Sequence, residues 1–468
     1  MTAKTRSWWF GLWVLLALAI VPRVVAAADD FWLDEIWSLE FAALASSPLD
    51  ILFDDRLRHD NNHPLNTLWL YLLGERDGWV AYRVPAVLAG LLTVLLAGLV
   101  GARRRRREGL VAAAIFATSY MMIAYSTEAR GYSLAIASAL AALLACVRAV
   151  DRRSWSRAAL FWATVVIGLL SHFSFAHAYF GLFVWSAWRL ARIPCGWRVG
   201  LRRICELHAV PAAFAVFLYL TFIRDMHIGG GPTLSVGEVL VRTLSWTLGG
   251  PATPAAAVAL GALVVAVSVA NAVSLWRAGN DRWILDVSVV FVAPLLTMVV
   301  LQPEFLVPRY FLMSITFFLL TLAHVVVRLM KMGGVGAVAG AAVLVLYIAG
   351  NAAHIAPFLR LGKGEYVAAV RYMGAHTSGD YIDVTKLPDT NPMILRYHAR
   401  QPVAGKSVRY VPGRSLSEHP AEWLIVTWQV GQPDPGERRA VGGARYQLAA
   451  KFSYSAPSGI GWWLYRRS

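Results

Sequence analysis

Charge is scarce in this chain. Only 15% of its 468 residues are Asp, Glu, Lys or Arg, against about a quarter in ordinary soluble domains. A single core wrapped in a water-solvated surface is therefore excluded. Acidic residues are scarcer than basic ones, 28 against 44, leaving a net charge of +16. In a soluble protein that excess would point to nucleic acid. Here the Lys and Arg residues gather in short loops between apolar runs, where a basic bias marks the cytoplasmic side of a membrane protein. Cysteine is nearly absent. Cys146, Cys195 and Cys205 do not suggest a disulfide framework. The first falls in an apolar run and the other two in a basic loop, where thiols stay reduced. Internal repeats are absent, and the only low-complexity tract is the block Arg103–Arg107.

What is abundant is apolar surface. The chain is 57% hydrophobic with a mean hydropathy of +0.53. Runs of about 18 or more mostly apolar residues recur along most of it, each long enough to cross a hydrocarbon core of roughly 30 Å. Helices satisfy their own backbone groups in lipid, so the chain reads as a polytopic helical membrane protein. Eleven spans are expected, near 8–27, 65–73 continuing through 80–101 (or Leu65–Leu73 as a separate short helix, with a break at Gly74–Gly78), 109–125, 131–148, 158–171, 178–190, 207–223, 253–275, 283–301, 310–328 and 334–352. Ala26-Ala27-Ala28 looks somewhat like a signal-peptidase site. The long run before it, interrupted by Arg23 near its end, favours an uncleaved anchor.

The loops alternate in charge. The arginine block and the loops at 148–157, 189–203, 277–282 and 328–331 are basic, whereas 29–62 carries nine acidic residues against Arg56 and Arg58. With a cytoplasmic N-terminus, 29–62, 126–130, 172–177, 224–252 and 302–309 lie outside the cytoplasm, as does the C-terminus. The first outer loop is expected to carry one or two short surface helices, with Ser47-Pro48 as N-cap and first helical residue. Residues 1–354 form the transmembrane part and 355–468 a soluble, basic α/β domain. Within that domain a helix is expected at 363–375, and strands at Tyr381–Val384, Trp423–Trp428, Gln447–Tyr454 and Gly461–Tyr465.

All the polar clusters beside spans fall on the outer side. They include Trp32-Leu33-Asp34-Glu35-Ile36-Trp37-Ser38, His59-Asp60-Asn61-Asn62-His63-Pro64-Leu65, Tyr82-Arg83-Val84-Pro85, Tyr125-Ser126-Thr127-Glu128-Ala129-Arg130-Gly131-Tyr132 and Pro308-Arg309-Tyr310. Ionisable groups at a membrane are costly and mark function. Read alone, Asp34 and Glu35 fit equally well as acids favoured at a helix N-terminus or as site carboxylates. Glu128 and Arg130 suit a loop-fixing pair or a site acid beside a phosphate-binding guanidinium. Arg309 suits snorkelling or pairing with an anion, and Arg83 is similar. His59, Asp60 and His63 form a candidate divalent-ion group, with loop hydrogen bonding as the blander role. His172 and His177 read as interfacial, or as substrate contacts.

In this order the motifs resemble the bacterial branch of the protein-mannosyltransferase and aminoarabinose-transferase group. These are GT-C glycosyltransferases close to the lipopolysaccharide-core families. The resemblance is strong over residues 8–150, weaker through 310 and slight beyond. Two departures stand out: His63-Pro64 is followed by Leu65 rather than a second proline, and Thr127 and Gly131 replace residues that are often larger.

The resemblance implies a GT-C fold of about 11 transmembrane helices with a small C-terminal α/β domain, in a bacterial cytoplasmic (inner) membrane with its site outside. It implies an inverting transferase that moves a sugar from a polyprenyl-phosphate donor to a lipid, glycan or protein hydroxyl. It also implies Asp34 as base, with Glu35 and Glu128 as further catalytic acids. His63, Arg83, Tyr125, Arg130, Tyr132, Arg309 and Tyr310 are the expected substrate contacts. The rival readings are a transporter or flippase of lipid-linked saccharide, against which stand charges gathered at span ends, and a non-catalytic binder.

Overall fold

The computed structural model describes every residue except 1–2, 60, 77, 195, 227–228, 230–233, 304, 389–391 and 430–431. The chain divides into two compact units. One comprises Met1–Ala27 with Phe41–Ile355, the other Ala28–Glu40 with Ala356–Ser468. The acidic motif, placed with the transmembrane part by sequence order, thus sits in the unit of the C-terminal residues.

The first unit is helical. Among the described residues, eight helices are long and apolar enough to cross a membrane. Seven of them fall in this unit: Thr5–Ala27, Val80–Ala102, Tyr132–Asp151, Trp197–Ile223, Pro254–Arg277, Arg282–Val300 and Pro308–Lys331. The eighth candidate, Gly334–His376, is made of two helices, Gly334–Leu361 and Tyr366–His376. Three further expected spans are shorter helices. The one expected at 109–125 divides at Ser119 into Arg106–Thr118 and Tyr120–Ala124, while Trp155–Ser171 and Phe175–Ala191 have 17 residues each. Leu65–Leu73 does not continue into the next span. It belongs to its own helix, Pro64–Leu73, closed by Gly74 at φ 65°.

Burial separates inner from outer helices. In Tyr132–Asp151 and Pro308–Lys331, 78% of the apolar window is buried, against 17% in Pro254–Arg277. The first two therefore form the centre of the bundle and the third presents its surface to lipid. In the loop expected at 224–252 a helix forms over Val236–Leu248. It starts on a capping box in which Ser235 and Glu238 satisfy each other's backbone N–H groups, and it stops at Gly249.

The first outer loop carries the helix Asp50–Phe53 and a 3-10 turn, Asp55–Leu57. The expected cap is inverted. Ser47 does not cap the helix; the Asp50 carboxylate accepts the N–H groups of Ser46 and Ser47, because an ionised carboxylate is the stronger acceptor.

In the second unit a helix, Leu33–Leu44, begins in the acidic motif. Its C-terminal part holds a six-stranded sheet of β1 (Tyr381–Leu387), β2 (Ser407–Tyr410), β3 (Trp423–Trp428), β4 (Arg438–Val441), β5 (Ala444–Phe452) and β6 (Gly461–Arg467) in the order β2-β1-β3-β6-β5-β4. The β1 pairings to β2 and β3 are parallel and the rest antiparallel. The central strands β3 and β6 bury continuous apolar runs, as central strands do.

Candidate active site

The first unit builds its polar centre around the turn Tyr125–Gly131. This turn leaves the short helix Tyr120–Ala124 and enters the helix Tyr132–Asp151. Every residue from Tyr125 to Tyr132 is buried, so its polar groups need partners. Ser126 and Thr127 hydroxyls donate back to the carbonyls of Ile123 and Ala124. Arg130 N–H donates to the Glu128 carbonyl at 2.7 Å. The Asn66 side chain donates to the Ala129 carbonyl at 2.7 Å, so the helix that follows His63 holds the middle of the turn.

Gly131 is the point of closest approach. A Cβ there would lie 1.7 Å from the Ser171 carbonyl oxygen and 3.1 Å from the His63 Cβ. The absence of a side chain, noted as a departure from the resembled motif, lets the end of Trp155–Ser171 cross the turn. That crossing brings His172 onto Tyr132, with ring centroids 4.6 Å apart. Tyr125 meets Tyr132 edge-on at 5.0 Å, and the Arg130 guanidinium lies 5.7 Å from the Tyr132 ring centre.

Two histidines face this cluster uncharged. Burial first, then the positive charge of Arg130, hold His63 and His172 well below the usual histidine range, and Arg309 acts on both in the same direction. His63 Nδ1 pairs with Asn62 Oδ1 at 3.0 Å. His172 Nδ1 accepts the Ser174 N–H at 3.1 Å, which places the ring proton on Nε2. That Nε2 is buried with no hydrogen-bond partner among the described residues. Arg309 and Tyr310 lie half-buried on the 3-10 turn Pro308–Phe311.

The structure thus brings together His63, Tyr125, Arg130, Tyr132 and Arg309 from the sequence-based set, and with them His172, which the sequence offered as interfacial or as a substrate contact. Glu128 is buried in the same turn. Arg83 is fully buried and donates to the Ala27 carbonyl at 3.0 Å, at the end of the first helix. A further buried arginine, Arg23, donates to the carbonyls of Ala19, Phe116 and Ala117. The sequence marked Arg23 only as an interruption of an apolar run.

In the second unit Asp34 and Glu35 occupy the first turn of Leu33–Leu44. Asp34 is half-buried and Glu35 is fully buried. Glu35 Oε2 accepts the Trp32 N–H at 3.3 Å and lies 3.9 Å from Lys363 Nζ.

Among the described residues, no group of three or more His, Cys, Asp and Glu side chains is arranged to hold a metal ion. Asp60 of the candidate ion group lies outside the described residues. Of its other two members, His63 sits beside the Gly131 turn, and the His59 ring stands 6.4 Å from that of Phe41.

Chemically, the first-unit cluster sets the guanidinium charges of Arg130 and Arg309 and the imidazoles of His63 and His172 beside the buried rings of Tyr125 and Tyr132. Such a set suits an anion whose charge grows during reaction.

Residues 63–219 match the family model of dolichyl-phosphate-mannose-protein mannosyltransferases. In structure the chain is similar to apo ArnT of Cupriavidus metallidurans, with 12% identity, a TM-score of 0.51 and coverage of 91% of this chain and 93% of that one. ArnT from the same organism bound to undecaprenyl phosphate aligns at 11% identity and a TM-score of 0.45, over 99% and 98% of the two chains. The oligosaccharyltransferase of Archaeoglobus fulgidus, in complex with Zn and sulfate, aligns at 10% identity and 0.44, over 89% and 67%. No curated protein matches the sequence.

Proposed function

We propose that this chain, whose residues 63–219 match the mannosyltransferase family model and whose fold is similar to that of ArnT, is a GT-C membrane glycosyltransferase that moves a sugar from a polyprenyl-phosphate donor to a hydroxyl of a lipid, glycan or protein acceptor, inverting the anomeric centre. The acceptor oxygen attacks the anomeric carbon, and the bond from that carbon to the phosphate oxygen breaks. The electron pair leaves with polyprenyl phosphate, and the acceptor proton passes to Asp34 as general base. The supporting observation is the cluster in the matched stretch and at the tenth expected span. Arg130 and Arg309 put positive charge beside two imidazoles that stay neutral, where a leaving phosphate needs stabilisation. Arg130 is suited to a bidentate phosphate contact, with Tyr132 and His172 as donors and packing surface beside it. Glu128 orients the acceptor or the arginine.

We place this chemistry at the outer face of a bacterial cytoplasmic membrane, a reading that the charge of the basic loops supports. The test uses purified protein in liposomes with a panel of undecaprenyl-phosphate-linked sugars and an envelope lipid extract. Sugar incorporated and undecaprenyl phosphate freed should appear in a one-to-one ratio. Labelled donor that crosses the bilayer without being consumed would mean a transporter, and donor bound but neither moved nor consumed would mean a non-catalytic binder.

A further inference from the structure

The turn Gly362-Lys363-Gly364 follows the long helix Gly334–Leu361 and is bonded on both of its sides. Its Gly362 sits at φ 54°, and a Cβ there would fall 1.8 Å from the Asp29 carboxylate. The turn therefore requires glycine both for its backbone and for the acid it cradles. Asp29 Oδ2 accepts the Lys363 N–H at 2.7 Å, and Asp30 Oδ2 accepts the Val367 N–H at 2.8 Å. Beyond Asp30 in the same motif, Glu35 meets the Lys363 ammonium, with both side chains buried. The far side of the turn is fastened to the sheet: Ser455 N–H donates to the Gly362 carbonyl at 2.8 Å, and Ile460 N–H and the Tyr366 hydroxyl donate to the Lys363 carbonyl. Beside this anchor His398 bonds the Phe31 carbonyl at 2.7 Å, and Phe31 packs against the Tyr397 ring. One lysine thus joins the start of the acidic-motif helix to the loop between β5 and β6.

We infer that Lys363 is a positioning residue for the transfer reaction: through Glu35 and its own N–H to Asp29 it fixes the first turn of Leu33–Leu44 and so the direction of the Asp34 carboxylate. The C-terminal unit then takes part in building the catalytic motif, a role distinct from choosing the acceptor. Glu35 acts through this pair and touches no substrate. A buried charge deprived of its partner disturbs its surroundings strongly, and a catalytic group displaced by about 1 Å can lose on the order of 100-fold in rate. The inference rests on the assignment of Asp34 made above.

The test compares wild type, Lys363→Met, Glu35→Gln, the double variant and the exchange Glu35→Lys/Lys363→Glu, all as full chains. Three readouts are taken: kcat and KM with the undecaprenyl-phosphate sugar that wild type consumes, affinity for undecaprenyl phosphate itself, and amide hydrogen exchange over residues 29–40. Lys363→Met should lower kcat by about 10- to 100-fold while undecaprenyl phosphate binding stays within about twofold, and exchange should rise in 29–40. The double variant should be no worse than Lys363→Met, and the charge exchange should recover part of the rate. Unchanged kcat in Lys363→Met, or losses in the two single variants that simply multiply, would overturn the inference. If Lys363→Met does not fold, Glu35→Gln decides by the same readouts. A wild type that consumes no donor defeats the proposed function instead. The exchange data then decide the pairing alone, and unchanged protection of 29–40 would count against it.

Discussion

Asp34 and Glu35 are neighbours with different surroundings. Glu35 is buried against Lys363, whereas Asp34 is half-buried, which leaves Asp34 as the acid suited to meeting an acceptor hydroxyl. On the first unit the decisive residues are neutral. An unfolded histidine takes up a proton near pH 6.5, and His63 and His172 do so only far below that. Between those limits the unfolded chain binds more protons. The contribution of these residues to stability is therefore complete above about pH 6.5 and is lost as the pH falls. Thermal unfolding in detergent should show this decline, and His63→Gln with His172→Gln should flatten it. A slope unchanged in the double variant would assign the acid sensitivity to other groups. The motif residues were legible because each carries chemistry at a fixed place in the chain. Lys363 and Arg23 were not. Lys363 lies 334 positions from Asp29, the first of the acids it meets, and Arg23 finds partners on helices that only folding brings near.

Elements with a strong apolar period were read correctly, and those without one were not. The central strands β3 and β6 agree with the sequence reading to within a residue or two. The short strands β2 and β4 were missed: Ser-Val-Arg-Tyr and Arg-Arg-Ala-Val carry the charge that edge strands use to avoid further pairing. The helix Val236–Leu248 was missed because it lies in a loop read only for its charge, although Ser235 and Glu238 spell a capping box. The crossing at Gly131 is set by backbone distance, which no pattern of residues reports. Gly131→Ala forces the Ser171 carbonyl away and should cost about 1–3 kcal/mol of stability. It should also displace His172 from Tyr132. An Ala variant with wild-type thermal stability and wild-type transfer would show that the two segments separate freely.

For the whole molecule, the excess of basic over acidic residues reflects an orientation. On the proposed topology Arg103–Arg107 and the other basic loops face the cytoplasm, and the acidic motif, Arg130 and Arg309 face the other side. A cysteine at exposed Arg105, in a background lacking Cys195 and Cys205, should react with an impermeant thiol reagent only in inverted vesicles. One at exposed Arg438 should react in cells whose cytoplasmic membrane is intact but accessible. The reverse pattern would place the chemistry inside. The central claim is that this membrane chain transfers a sugar with Asp34 as the base, and one comparison tests it most directly: wild type against Asp34→Asn in liposomes, following sugar incorporation and undecaprenyl phosphate release together. The account predicts that both fall together in Asp34→Asn, by about 100-fold or more, while the variant still binds undecaprenyl phosphate. Transfer at the wild-type rate in Asp34→Asn would contradict it.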